Sequence, residues 1–90
     1  MGHVTVIGDV NPGAEIVASG DIVVWGRLRG VAHAGADGND EAIVCALDLE
    51  PMQLRINDKI AITPKRKGKA QPEVARVIDN QVIAEPWIIK

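Results

Sequence analysis

The sequence predicts an all-β domain built as a solenoid of short strands with a β-hairpin at its C-terminal end, and three observations carry that prediction. Glycine falls at Gly8, Gly13, Gly20, Gly26, Gly30 and Gly35, each ending or interrupting a short apolar run. Sliding the chain by 18 residues lays Val4-Thr5-Val6-Ile7-Gly8 on Ile22-Val23-Val24-Trp25-Gly26, Val10 on Leu28, Ala14 on Ala32 and Ala18 on Ala36. No segment carries a convincing helical period. A fixed period of this length, filled with strand-like runs, is the signature of a solenoid of about three to four coils.

The first coil runs from Val4 to Ile7, turns at Gly8-Asp9, passes Val10, and turns again at Asn11-Pro12-Gly13 before the side Ala14 to Ala18. Asn-Pro-Gly is a strong turn signal, because Pro presets φ and Gly accepts positive φ. The second coil repeats this from Ile22 to Trp25, with corners at Gly26 and Gly30 and a third side from Val31 to Ala34. Ala36-Asp37-Gly38-Asn39-Asp40 is a polar loop that lengthens the period by about three residues. The third coil alternates Ile43, Cys45, Leu47 and Leu49, turns at Glu50-Pro51, and alternates again through Met52, Leu54 and Ile56. Half of these large aliphatics must fill the interior, and the rest face outward, where they would seek a partner surface. Asn57-Asp58 turns the chain into Ile60-Ala61-Ile62, and Pro64 to Lys69 reads as a solvated basic loop. Glu73 to Ile78 and Gln81 to Glu85 flank Asp79-Asn80, a two-residue turn that predicts a hairpin ending at Pro86-Trp87.

Composition bounds the function. The chain has 90 residues, 47% of them hydrophobic, with no Phe or Tyr. Trp25 and Trp87 are its aromatics, so the interior is aliphatic and suits thin layers. One domain of this size is marginal alone, and a second copy would help. The net charge is −2 and the basic residues cluster only at Lys65-Arg66-Lys67-Gly68-Lys69, which argues against a nucleic-acid face. The single Cys45 sits in an apolar run and reads as a buried structural thiol. No apolar stretch reaches the ~18 residues of a membrane span, and a cytoplasmic chain is expected. Met1-Gly2-His3 reads as a start residue plus a cloning remnant, with the domain at 4–90.

Catalytic chemistry is sparse. A Ser-His-Asp arrangement would need Ser19 beside His33 with Asp21 as orienter, and nothing marks an oxyanion hole. Asp9, Glu15 and Asp21 could supply paired carboxylates for a carbohydrate-active β-helix enzyme, but the aromatic sugar platforms are missing. Asp37, Asn39, Asp40 and Glu41 are oxygen donors without the pattern of an EF-hand. No metal or cofactor is therefore expected. Surfaces remain: Arg27 and Arg29 flank Leu28 and project together above Glu15 or Asp9, either as cross-strand ion pairs or as a partner face.

Gly8-Asp9-Val10-Asn11-Pro12-Gly13-Ala14-Glu15-Ile16-Val17-Ala18-Ser19-Gly20-Asp21-Ile22, then Val24-Trp25-Gly26-Arg27-Leu28-Arg29-Gly30, Ala34-Gly35-Ala36 and the tail Ala84-Glu85-Pro86, closely resembles the C-terminal domain family of MinC, the bacterial septum-site-determining proteins. The resemblance covers nearly the whole chain. It implies a short right-handed β-helix that forms a homodimer, binds the membrane-associated ATPase MinD and serves an inhibitor of FtsZ assembly. Contact with the membrane would then be indirect, through MinD at the inner face. An Arg-Ser-Gly-Gln segment that lies just upstream in many members, and contributes to MinD binding there, has no counterpart in these residues, so weakened MinD binding is expected. By position, Glu15, Asp21, Arg27, Arg29 and Val31 fall on the face that the family presents to MinD or to the FtsZ tail, with Val31 where some members carry a basic residue. Leu49, Met52 and Leu54 align with an apolar segment implicated in self-association. A filament-forming solenoid of the bactofilin kind is the remaining alternative.

Overall fold

The computed structural model describes residues 2–61 and 71–87, with no helix among them. Nine strands follow in chain order: β1 (Val4–Ile7), β2 (Glu15–Val17), β3 (Ile22–Leu28), β4 (Val31–Ala34), β5 (Val44–Leu49), β6 (Gln53–Ile56), β7 (Lys59–Ile60), β8 (Glu73–Ile78) and β9 (Gln81–Pro86). They form two sheets, a five-stranded one in the order β1-β3-β5-β8-β9 and a four-stranded one in the order β2-β4-β6-β7. The basic run Lys65–Lys69 and Ile62 lie outside the described residues.

Three passes of the chain stack in parallel. β1, β3 and β5 pair side by side in one sheet, and β2, β4 and β6 do the same in the other. Val4 stands on Ile22 and Ile22 on Val44, so the first step is the predicted 18 residues and the second is four longer, the length the polar loop adds. A short third side links the sheets: Val10 bridges Leu28, and β3 runs round the corner past an irregularity between Val24 and Arg27 to pair Leu28 with Leu49.

The repeat holds in the first sheet and slips in the second. Ile16, rather than Ala14, stands beside Ala32. The Asn11-Pro12-Gly13 turn puts two more residues between Val10 and β2 than Arg29-Gly30 puts between Leu28 and β4. A slip of two preserves the inward and outward sides of the strand, whereas a slip of one would have inverted them.

Small and large side chains alternate across the interior. In the second pass Ile22 and Val24 face Ala32 and Ala34, all fully buried. In the third pass the bulk changes sides, with Val44 and Ala46 on one sheet and Leu54 and Ile56 on the other. Leu49 and Leu54, expected at a self-association surface, are 3% and 1% exposed and belong to this core. The alternation set by Leu54 and Ile56 leaves no other place for them.

Antiparallel strands close the third pass. β8 pairs with β5 and then with β9, while β7 folds back on β6. The predicted hairpin is present, and positive φ at both Asp79 and Asn80 is the backbone of a primed turn. Its second arm extends through Pro86 before Trp87 donates its N–H to Pro72 O. Covering both edges of the last pass removes the pairing hazard of exposed strand edges there.

Two glycines show what the sequence register requires. At Gly13 φ is +96°, which L side chains rarely adopt. At Gly26 a Cβ would collide with the carbonyl of Gly8 one pass earlier, so close stacking of the corners demands glycine. Gly2 and His3, expected outside the domain, are stitched into the first corner: Gly20 N–H donates to Gly2 O, and Asp21 N–H donates to His3 Nδ1.

Candidate partner-binding surfaces

The corners and short sides are built from coil-to-coil contacts. Asp9 Oδ1 accepts from Arg27 N–H at 2.9 Å, and Asp21 Oδ1 accepts from Ile43 N–H at the same distance, so each carboxylate caps the backbone of the next pass. Arg27 stands in register with Asp48, its Nε 3.9 Å from Asp48 Oδ2. Asp9 thus holds the Arg27 backbone from the pass below while Asp48 faces its side chain from the pass above, an ion pair worth under ~1 kcal/mol at this exposure. Arg29 is exposed, and its N–H donates to Val10 O. The acid beneath Arg27 is Asp9; Glu15 lies on the other sheet, beside Val31. The three candidate carboxylates are not gathered: Asp9 and Asp21 each serve a backbone N–H, and Glu15 begins β2. Val17, not Ser19, is the register neighbour of His33. Among the described residues no three His, Cys, Asp or Glu side chains converge as a metal site.

The outer side of the four-stranded sheet carries two columns. One runs Glu15, Val31, Gln53; the other runs Val17, His33, Arg55, Ile60. Inward Leu54 and Ile56 force Arg55 out, and Arg55 Nε is buried without a hydrogen-bond partner. Ser19 Oγ, two residues beyond Val17, is the other such atom among the described residues. His33 Nε2 lies 2.9 Å from Asn57 O, the geometry of an imidazole N–H donating to a carbonyl. Asn57 in turn belongs to a clasp: Asp40 accepts from Asn57 Nδ2 at 2.8 Å and from Lys59 Nζ at 2.9 Å, and Asp58 accepts from Lys59 as well. The Asn57 amide, and then Lys59, hold the Asp40 carboxyl below its ordinary range, and the two carboxylates push Lys59 up. Asp40 therefore binds the polar loop to the β6–β7 turn. Between β7 and β9 lies a shallow pocket of about 280 Å³ lined by Lys59, Ile60, Asn80, Gln81 and Val82.

The outer side of the five-stranded sheet mixes apolar side chains with Thr5, Arg76 and Glu85. Ile7 is 88% exposed and stands in register with Trp25, whose ring lies 5.5 Å from that of Trp87 at 47°. Ile83 is also exposed. Between them Cys45 and Val74 pair in register and are nearly sealed, and burial pushes the Cys45 thiol up, away from the thiolate. That is the buried structural thiol the sequence predicts. Met52, at the bend before β6, remains strongly exposed. Ile7, Trp25, Trp87 and Arg55 carry the surfaces that sequence reasoning passed over, although the period-two pattern around Leu54 already pointed Arg55 outward.

This geometry defines a class: an all-β domain of stacked parallel strands, sealed at one end by antiparallel strands. The chain belongs to the family described as septum formation inhibitor MinC, C-terminal domain, which matches residues 1–87. It is 61% identical over 82 residues to a probable septum site-determining protein MinC of Gloeobacter violaceus, covering 90% of this chain and 30% of that protein. A probable MinC of Heliobacterium modesticaldum is 55% identical over 88 residues, covering 96% and 30%. Among solved structures, a chain of the MinC:MinD cell division protein complex of Aquifex aeolicus superposes with a TM-score of 0.86 at 38% identity, covering 96% of this chain and 77% of that one. The chain therefore spans about a third of the length of these curated relatives.

Proposed function

We propose that the chain is the dimerisation and MinD-docking module of a cell-division inhibitor that keeps septa from forming by antagonising FtsZ assembly. It acts without catalysis, as a short right-handed β-helix of three coils closed by its hairpin. The observation that carries this reading is the close likeness to a chain taken from a MinC:MinD complex. Two copies double the avidity for an array of MinD on the inner face of the membrane, to which the cytoplasmic protein is recruited.

The homodimer joins the outer sides of the five-stranded sheets, where Ile7 and Trp25 are exposed in register and Ile83 is exposed on the far edge strand. Of the three residues that the family resemblance assigns to self-association, Met52 alone offers an exposed side chain, and it borders the interface rather than forming its centre. Glu15, Val31 and the exposed Arg29 remain available to partners, while Arg27 and Asp21 act mainly within the stack.

Sedimentation of the wild type beside Trp25→Asp and Met52→Asp tests the dimer: Trp25→Asp is expected to give monomers. A wild type that stays monomeric at all concentrations, or that grows without limit, overturns the closed dimer. Co-sedimentation with MinD, ATP and anionic vesicles tests the docking, and absence of binding even when the full-length protein is used overturns it.

A further inference from the structure

We infer that the first pass of the stack is covered by a further parallel strand, formed by the polypeptide that leads into Met1 in the full-length protein and laid along the free edge of β2. The inference goes beyond the proposed function and needs neither MinD nor the dimer.

The two ends of the stack are finished differently. At one end β7, β8 and β9 cover the third pass, whereas at the other β1 and β2 each pair on one side only. The inward side chains record the difference. In the column Ile16, Ala32, Leu54 the second and third are sealed while Ile16 is half-buried, and in the column Val4, Ile22, Val44 the first is again the half-buried one. Val4, Val6 and Ile16 thus form an apolar floor packed on the core, with no strand above it among the described residues. Stacked-coil proteins need such an end closed.

The backbone of β2 offers the bonds. Ala14 O accepts from Val31 N–H and Ala18 N–H donates to His33 O, so Ala14, Ile16 and Ala18 turn their peptide groups toward β4. By the alternation of a parallel ladder, Glu15 and Val17 turn their N–H and C=O groups to the free edge. An edge of this kind is a template for an extended chain that reaches it.

The path of the chain names the strand that does. Gly20 N–H donates to Gly2 O and Asp21 N–H to His3 Nδ1, so residues 2 and 3 already stack 18 positions before their partners, as Val4 does on Ile22. Carried back by the same step, the residues that would stack on Glu15, Ile16 and Val17 fall within about four positions ahead of Met1, and their strand runs parallel to β2. The family is described as a C-terminal domain, and the match covers 30% of the Gloeobacter violaceus relative, so in a full-length protein a long stretch of polypeptide enters at this end. A strand delivered by the same polypeptide avoids the loss of translational freedom that a second copy would suffer. Its residue over Ile16 faces inward and is expected to be apolar. The side chains of Glu15 and Val17 still face out, so the added strand widens the outer side of this sheet without covering it.

Amide exchange and nuclear Overhauser contacts in the full-length protein test this. The Glu15 and Val17 amides are expected to exchange about 100-fold or more slowly than unstructured ones, with contacts to residues about 18 positions earlier. Val17→Pro removes an N–H from the free edge, which an unpaired edge would tolerate. In that variant the Glu15 amide should exchange at least about ten-fold faster, while the Ala18 N–H, bonded to β4, stays protected and shows that the fold survives. Fast exchange at both Glu15 and Val17 in the wild type overturns the inference, as does unchanged Glu15 protection in Val17→Pro. Protection whose contacts cross to a second copy in a half-labelled mixture, or never reach the residues ahead of Met1, overturns it as well.

Discussion

Leu54 and Met52 sit two residues apart in one apolar run, and truncating each should give opposite results. Leu54 is 1% exposed, between Ala32 on one side and the β7 return on the other, so Leu54→Ala removes three buried carbons. At ~0.8 kcal/mol per methylene the transfer loss is about 2.4 kcal/mol, and incomplete collapse of the cavity raises it to about 3 to 4 kcal/mol. A chain of this length has a total stability of about 5 to 13 kcal/mol, so the variant loses a large share. Met52 is 69% exposed, and Met52→Ala should change stability by no more than about 0.5 kcal/mol. Urea unfolding followed by tryptophan fluorescence measures both, since Trp25 and Trp87 touch only in the folded chain. Runs at two protein concentrations separate fold stability from association. A loss below about 1 kcal/mol for Leu54→Ala, or above about 2 kcal/mol for Met52→Ala, would refute the division of this run into core and surface.

Gly26→Ala forces a Cβ onto the Gly8 carbonyl and should destabilise by about 2 kcal/mol or more, whereas an alanine at Ala36, itself native, marks a corner where a side chain fits; unfolding midpoints compare the variant with wild type. Asp21→Ala leaves the Ile43 N–H without its acceptor and should cost about 1 to 3 kcal/mol, with Asp21→Asn recovering most of it; amide exchange at Ile43 reports the loss directly. The clasp should make stability depend on acid. Asp40 and Asp58 titrate below their unfolded values, so their contribution is complete above the ordinary carboxylate range and disappears as pH falls through the folded values. Lys59 titrates above its unfolded value, so its contribution fades only in strong alkali. Asp40→Asn should flatten the acid limb of the stability curve, and an unchanged limb would show that the clasp contributes nothing.

The strands, their order and the hairpin were legible because each rests on local chemistry. Apolar runs broken by glycine mark strands and corners, and Asp79-Asn80 marks its turn whatever lies around it. The 18-residue shift gave the first sheet in its true register. It misplaced the second by two residues, because the excess length of the Asn11-Pro12-Gly13 turn shows only when both passes are laid side by side. The family resemblance places Leu49 and Leu54 at a self-association surface, and alternation does not correct it, because it says that half of a run faces out without saying which half. The choice depends on which strand stands opposite, and here Ala32 and Ala34 leave the room that Leu54 and Ile56 fill.

The sequence by itself determined an all-β chain with a repeating register and an aliphatic interior, since periodicity and turn chemistry act between residues close in the chain. Its motifs also marked the family. Only the tertiary structure decided that Asp9 and Asp21 serve backbone amides of the next pass, and that Trp25 meets Trp87. It likewise left Arg55 with a sealed, unpaired donor. These are relations between residues brought together by stacking, and the stacking distance is fixed by the whole wound chain.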